Sequence, residues 1–152
     1  VGRLYLSPEP FRGESFGGLD RVSRLVSLGS PHAGIAASPM RRFVAERYPG
    51  AFFAPRVAYL SVAGRAVRGD RSGSAAARFA ARVYARLGGD AGAWGDGLVP
   101  VSCALLEGAR HVVLDGVGHA PPWRGPWYGT PRVVREWWSA VAAAAGGDAR
   151  AC

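Results

Sequence analysis

The sequence contains no lysine, asparagine or glutamine, so all 19 of its basic side chains are arginines. Together with the abundant alanine and glycine, this composition is typical of a GC-rich coding sequence. The formal net charge is +8, yet no run of five or six arginines occurs and no aromatic residues are interleaved for base stacking. We interpret the charge as compositional and solvated and expect no nucleic-acid partner, with a basic nucleic-acid-binding domain as an alternative.

Long apolar runs are also missing. No stretch approaches the ~18 residues that span a bilayer, so we expect no transmembrane segment. The first residues lack the charged, apolar and cleavage regions of a signal peptide, and the chain starts at Val1 without an initiator methionine. This start predicts a processed chain or a fragment of a longer protein.

Cysteine is scarce, with only Cys103 and Cys152. Two cysteines at this spacing form neither a disulfide framework nor a Cys-x-x-Cys metal motif. We therefore expect no metal and no cofactor. Neither the redox compartment nor the oligomeric state can be read from the sequence.

The order of predicted elements indicates the fold class. The chain has 152 residues, 49% of them hydrophobic, which suits one domain with a real core. Helical patterns cover residues 1–6, 38–47, 74–87 and 131–145, the third with an apolar face of Phe79, Val83 and Leu87. Apolar strand patterns cover residues 22–28, 56–63 and 111–114. This alternation predicts an α/β fold with a mostly parallel sheet of about three strands flanked by helices, spanning residues 1–147, with a loose tail at 148–152.

Two polar residues in glycine-flanked loops are candidate catalytic residues. Asp96 lies between Gly95 and Gly97, and His119 follows Gly118 in the loop after the third predicted strand. Taken alone, each has a plain interpretation, as a turn aspartate and a surface histidine. Together they occur in the order of an α/β-hydrolase triad, in which the acid orients the histidine and the histidine acts as general base.

Four segments in the same order resemble lipase-like α/β-hydrolases of a plant and cyanobacterial branch. LVSLGSPHAG at 25–34 resembles "LxTLGTPHxG", and AWGDGLVPV at 93–101 resembles the acid loop "WGDGxVPV". LDGVGH at 114–119 resembles the histidine loop, and WYGTP at 127–131 resembles "WYGSP". The resemblance covers roughly residues 1–145. It implies the C-terminal half of an α/β-hydrolase fold, with the first five strands upstream.

The four motifs do not include a nucleophilic serine. Residues 13–17, GESFG, match the motif G-x-S-x-G, with Ser15 at the nucleophile position. Pro8 and Pro10 argue against a strand before the motif, and Gly17 and Gly18 leave no room for a helix after it. The resemblance implies that residues 2–6 belong to the helix after a "GHSxGG" turn. The serine would then lie upstream of Val1, and we expect the chain alone to be poorly stable and inactive.

The resemblance implies a serine hydrolase that acts on a carboxylic ester of a lipid or other small molecule. Trp94, Trp123, Trp127 and Tyr128 flank the two loops and either line an acyl pocket or pack the loops. Esterase, lipase, thioesterase and amidase are not separated by the sequence, and a non-catalytic interaction module with the same fold is an alternative. A plastid location would follow only from the branch resembled; the compartment is otherwise unknown.

Overall fold

The computed structural model describes residues 1–33, 38–121 and 125–146. Five α-helices and five strands are found in this part of the chain, together with a 3-10 turn at Gly18–Asp20. In chain order they are α1 (Gly2–Tyr5), β1 (Arg24–Leu28), α2 (Pro39–Arg47), β2 (Ala58–Arg65), β3 (Val67–Arg68), α3 (Ala75–Arg86), β4 (Trp94–Gly95), α4 (Val101–Ala104), β5 (Arg110–Asp115) and α5 (Pro131–Gly146). The predicted tail at 148–152 lies outside the described residues.

The main sheet has three parallel strands in the order β1-β2-β5. Val26 of β1 lies opposite Leu60 of β2, and Val62 of β2 lies opposite Val112 of β5. The structure thus confirms a mixed α/β fold in which helices flank a parallel sheet of three strands. Strand β2 runs from Ala58 to Arg65 and so ends two residues beyond the predicted range of 56–63.

Strand β2 is central, and both of its faces are buried. Leu60 and Val62 pack on one face in a cluster that includes Val141 of α5. Ala63 packs on the opposite face against Ala104 of α4. Burying a Val or Leu side chain contributes about 1.5–3 kcal/mol, so this two-sided strand anchors the fold. It also explains the continuous apolar pattern of residues 56–63, which is typical of interior parallel strands.

Helices α2 and α3 begin where the sequence predicts. The Ser38 hydroxyl accepts a hydrogen bond from the Arg41 amide, and the Ser74 hydroxyl accepts one from the Ala77 amide. These side chains satisfy amides that have no partner inside the helix. The apolar face predicted for α3 is wrong at one position, because Phe79 is 53% exposed while Tyr84 is fully buried.

The segment predicted as a loop, 90–100, contains β4, which pairs antiparallel with β3. The Gly95 carbonyl accepts a hydrogen bond from the Ala66 amide, just beyond the end of β2. This short pairing returns the chain from α3 to the carboxyl edge of the main sheet. It therefore decides where the next residue, Asp96, lies.

Most of the arginines in the described residues are exposed and scattered over the surface. The six that are densest along the sequence are all exposed: Arg65, Arg68, Arg71, Arg78, Arg82 and Arg86. Arg65 forms an ion pair with Asp115 at the ends of two neighbouring strands. Among the helices of the described residues, none is both long enough and apolar enough to cross a membrane.

Candidate active site

The carboxyl ends of the three parallel strands form one tightly packed corner around Asp96. Gly29 directly follows β1 with φ +52°, and a Cβ there would lie 2.5 Å from Asp96 Oδ2. A Cβ on Gly64 of β2 would lie 2.2 Å from the Val117 carbonyl and 3.0 Å from Asp96 Cβ. Real Cβ atoms do not approach that closely, so both positions require glycine for this carboxylate to fit.

Asp96 is 1% exposed, and four donors converge on its carboxylate. Oδ1 accepts hydrogen bonds from the backbone amides of Leu98 at 3.0 Å and Val99 at 2.7 Å. Oδ2 accepts one from His119 Nδ1 at 2.8 Å and one from the Tyr128 hydroxyl at 2.9 Å. An ionised carboxylate only accepts hydrogen bonds, and four of them offset the cost of burying its charge.

His119 is held by both its ring and its backbone. Its backbone amide donates to the Asp96 carbonyl at 3.0 Å, so the two loops are joined beside the side-chain contact. The carboxylate requires a proton on Nδ1, which leaves the Nε2 lone pair of the neutral ring unused. The hydrogen bond to Asp96 raises the pKa of His119 and outweighs the opposing effect of burial.

Nε2 of His119 has no hydrogen-bond partner in the described part of the chain, and the side chain is 32% exposed. The ring is therefore oriented by Asp96 on one side and accessible on the other. An imidazole in this arrangement can accept a proton at Nε2 from a hydroxyl group or a water molecule.

Tyr84 fixes the turn that carries Asp96. Its hydroxyl donates to the Val67 carbonyl at 3.2 Å and accepts from the Gly97 amide at 3.0 Å, which ties α3 to β3 and to the acid loop. Burial raises the pKa of Tyr84 to about 12, so the hydroxyl stays protonated at neutral pH. The role of Tyr84 was not predicted from the sequence. The local pattern that could have indicated it is a tyrosine four positions after Ala80, on a helix face of small residues.

Ser15 does not lie at a strand-to-helix turn. It is exposed and follows a tight turn in which Phe11 and Glu14 exchange backbone hydrogen bonds of 2.9 and 3.1 Å. A 3-10 turn, not an α-helix, comes next. No hydrogen bond joins Ser15 or Ser30 to His119 in the described residues, so neither serine is the partner of Nε2 in this structure.

The four aromatic residues that flank the loops have different environments. Tyr128 is 4% exposed and takes part in the carboxylate site, whereas Trp94 is 49% exposed and Trp127 is 36% exposed. Trp123 lies outside the described residues. Tyr128 thus packs within the loops, whereas Trp94 and Trp127 are accessible at the surface.

The other two histidines lie away from the carboxylate. His111 forms a hydrogen bond with the Leu106 carbonyl through Nε2 at 2.7 Å. His32 contacts the Ser27 hydroxyl through Nε2 at 2.9 Å and lines a cavity of about 280 Å³ beside β1 and α1. Burial, aided by Arg3 and Arg41, lowers the pKa of His32 to about 4, so the ring is neutral at pH 7.

The described residues contain no cluster of His, Cys, Asp and Glu side chains arranged to hold a metal ion. The chemistry that Asp96 and His119 offer is the proton chemistry of an oriented imidazole. When the chain was compared with protein-family models, curated proteins and solved structures, no match was found.

Proposed function

We propose that this chain supplies the acid and the general base of a serine hydrolase of the α/β-hydrolase kind, acting on carboxylic esters. The observation that carries the proposal is the hydrogen bond between Asp96 Oδ2 and His119 Nδ1, made at the carboxyl edge of a parallel sheet. A buried carboxylate, an oriented imidazole and an unbonded Nε2 are what such a mechanism needs from these two residues. The four sequence motifs described above support the same assignment.

The proposed reaction is acyl transfer in two halves. A serine hydroxyl attacks the ester carbonyl while His119 Nε2 takes its proton, and His119 then gives that proton to the departing alcohol. Water attacks the acyl-serine by the same route, releasing the acid and restoring the serine. Asp96 remains ionised throughout and stabilises the imidazolium that forms in each half.

The nucleophile is proposed to come from a strand that pairs with the outer edge of β1. The Ser23 carbonyl and the Gly29 amide form hydrogen bonds with β2. Backbone groups of successive residues in a parallel strand point to opposite edges, so the amides and carbonyls of Val26 and Leu28 point to the outer edge of β1. Within the described residues no strand covers that edge, and the cavity beside His32 adjoins it. The resemblance puts both the pairing strand and the serine that follows it before Val1.

The test is ester hydrolysis by protein that includes the residues encoded before Val1. p-Nitrophenyl esters of increasing acyl length report activity and separate esterase from lipase preference. Asp96→Asn should lower kcat by about 10⁴-fold and His119→Ala by at least as much, because the acid and base act as a unit with the serine. Asp115→Asn, which changes an exposed aspartate on the neighbouring strand, is the matched control and should keep its activity.

Full activity in Asp96→Asn and His119→Ala would contradict the proposal. Retention of the protein's cellular role in both variants would instead favour a hydrolase-like fold that serves as an interaction module.

A further inference from the structure

The proton of the Tyr128 hydroxyl has a defined direction. The Gly64 amide, which can only donate, points at Tyr128 Oη from 2.7 Å. The hydroxyl oxygen is therefore an acceptor on that side, and its single proton goes to Asp96 Oδ2 at 2.9 Å. Burial and the nearby carboxylate raise the pKa of Tyr128 well above its usual value, so this donor persists across the working pH range.

Tyr128 and His119 thus compete for the same oxygen. Both bonds end on Oδ2, at 2.9 and 2.8 Å, while Oδ1 is occupied by backbone amides. Each donor draws on the charge of that oxygen, so strengthening one bond weakens the other. We propose that Tyr128 is a positioning residue that shares the charge of Asp96 Oδ2 with His119 and so limits how tightly the protonated imidazole is held.

The Tyr128 hydroxyl cannot turn away from this position. A Cβ on Gly29 would lie 2.8 Å from both Cε2 and Oη of the ring, which shows how closely the end of β1 encloses it. On the other side, Trp137 Nε1 of α5 donates to the Tyr128 carbonyl at 3.0 Å. The His119 ring meets the Tyr128 ring edge-on, with centroids 6.2 Å apart. The tyrosine is therefore fixed by the sheet, by α5 and by the base itself.

The consequence concerns the pH range in which His119 is neutral. The titratable groups that face this cluster are Asp96, His119 and Tyr84; Arg65 and Asp115 are exposed and pair with each other. A carboxylate that directed all of its charge to His119 would keep the imidazolium protonated to higher pH. A general base must be neutral to accept a proton. The catalytic meaning of Tyr128 rests on the proposed function, whereas the sharing of charge does not.

The experiment is an NMR titration of the His119 ring in protein that includes the residues encoded before Val1, as the wild type and as two tyrosine variants. Tyr128→Phe removes the competing donor, so the pKa of His119 should rise above the wild-type value. Tyr84→Phe is the matched control, because it also removes a buried hydroxyl close to Asp96. The Tyr84 hydroxyl bonds backbone groups of Val67 and Gly97 and does not bond the carboxylate. Its His119 should titrate as in the wild type. An unchanged pKa in Tyr128→Phe, or an equal change in both variants, would overturn the proposal.

A second variant covers the case in which Tyr128→Phe fails to fold. Replacing Tyr128 alone by 3-fluorotyrosine keeps the hydroxyl but makes it a more acidic, stronger donor. The pKa of His119 should then fall, and a pKa that stays or rises would refute the charge sharing. Neither titration uses a substrate or the nucleophile, so failure of the hydrolase proposal leaves this result readable.

Discussion

Replacing Asp96 by alanine removes one acceptor group from four donors, and the structure indicates what that costs. Leu98 and His119 are 37% and 32% exposed, so water can reach their donors after the change. Val99 and Tyr128 are only 5% and 4% exposed. A buried donor without a partner costs about 1–3 kcal/mol, which gives a loss of about 2–6 kcal/mol in the free energy of unfolding. The lower end applies if water fills the vacated space.

Asp96→Asn should cost about half as much. Its Oδ1 still accepts from the two backbone amides, and His119 can move its proton to Nε2 and accept from the new amide. Only the Tyr128 hydroxyl loses its partner, which corresponds to about 1–3 kcal/mol. The expected order of stability is therefore wild type, then Asp96→Asn, then Asp96→Ala.

Urea unfolding followed by circular dichroism measures these differences. Asp115→Ala is the control, because it removes an exposed carboxylate that pairs only with Arg65, and its loss should be smaller than either. If Asp96→Ala does not fold, Asp96→Asn against Asp115→Ala gives the comparison. Equal, small losses in all the variants would refute the claim that the buried carboxylate organises this corner.

Four further predictions concern single residues. Gly64→Ala should destabilise the fold by about 1–3 kcal/mol or more, because the new Cβ meets the Val117 carbonyl at 2.2 Å. Gly92→Ala, with its nearest neighbour at 3.6 Å, should not, and equal unfolding midpoints for the pair would contradict this packing. His32 has a folded pKa of about 4, below its unfolded value, so its stabilising effect is present at neutral pH and is lost as pH falls from about 6.5 to 4. The loss is about 3 kcal/mol, and His32→Gln should flatten this part of a plot of stability against pH; an unchanged slope would exclude His32 as its source. His119 works in the opposite direction, because its raised pKa adds stability that is complete below about 6.5 and is lost as pH rises through the folded value. Ser15→Ala should leave fluorophosphonate labelling of the active protein unchanged, and lost labelling would make Ser15 the nucleophile.

The sheet could be predicted because its signals are local. Strands β1, β2 and β5 are apolar runs, and the helical patterns of α2 and α3 begin at a serine, which the structure shows to be the N-cap in both. The pairing of Asp96 with His119 was expected from their order along the chain and from the resemblance to hydrolases. His119 directly follows a strand of the parallel sheet, whereas Asp96 comes after α3, so its position depended on the loop folding back to the carboxyl edge of the sheet. The structure places the two side chains in direct hydrogen-bond contact, as that argument requires.

The details around the carboxylate could not be predicted in this way. Strands β3 and β4 have two residues each, too short for any periodicity, and they form because they pair with each other. The roles of Tyr84 and Tyr128 depend on hydroxyl contacts across 13 and 32 positions of sequence. Such contacts follow from how the strand ends meet, which residue patterns within a single element do not encode.

We propose that His119 serves a serine outside residues 1–152. The most direct test is fluorophosphonate labelling of protein that includes the residues encoded before Val1, with the labelled peptide identified by mass spectrometry. We expect stoichiometric labelling of one serine before Val1 and the loss of that labelling in His119→Ala, while the 152-residue chain alone stays unlabelled. Labelling of a serine within residues 1–152, or no labelling of the longer protein, would contradict it.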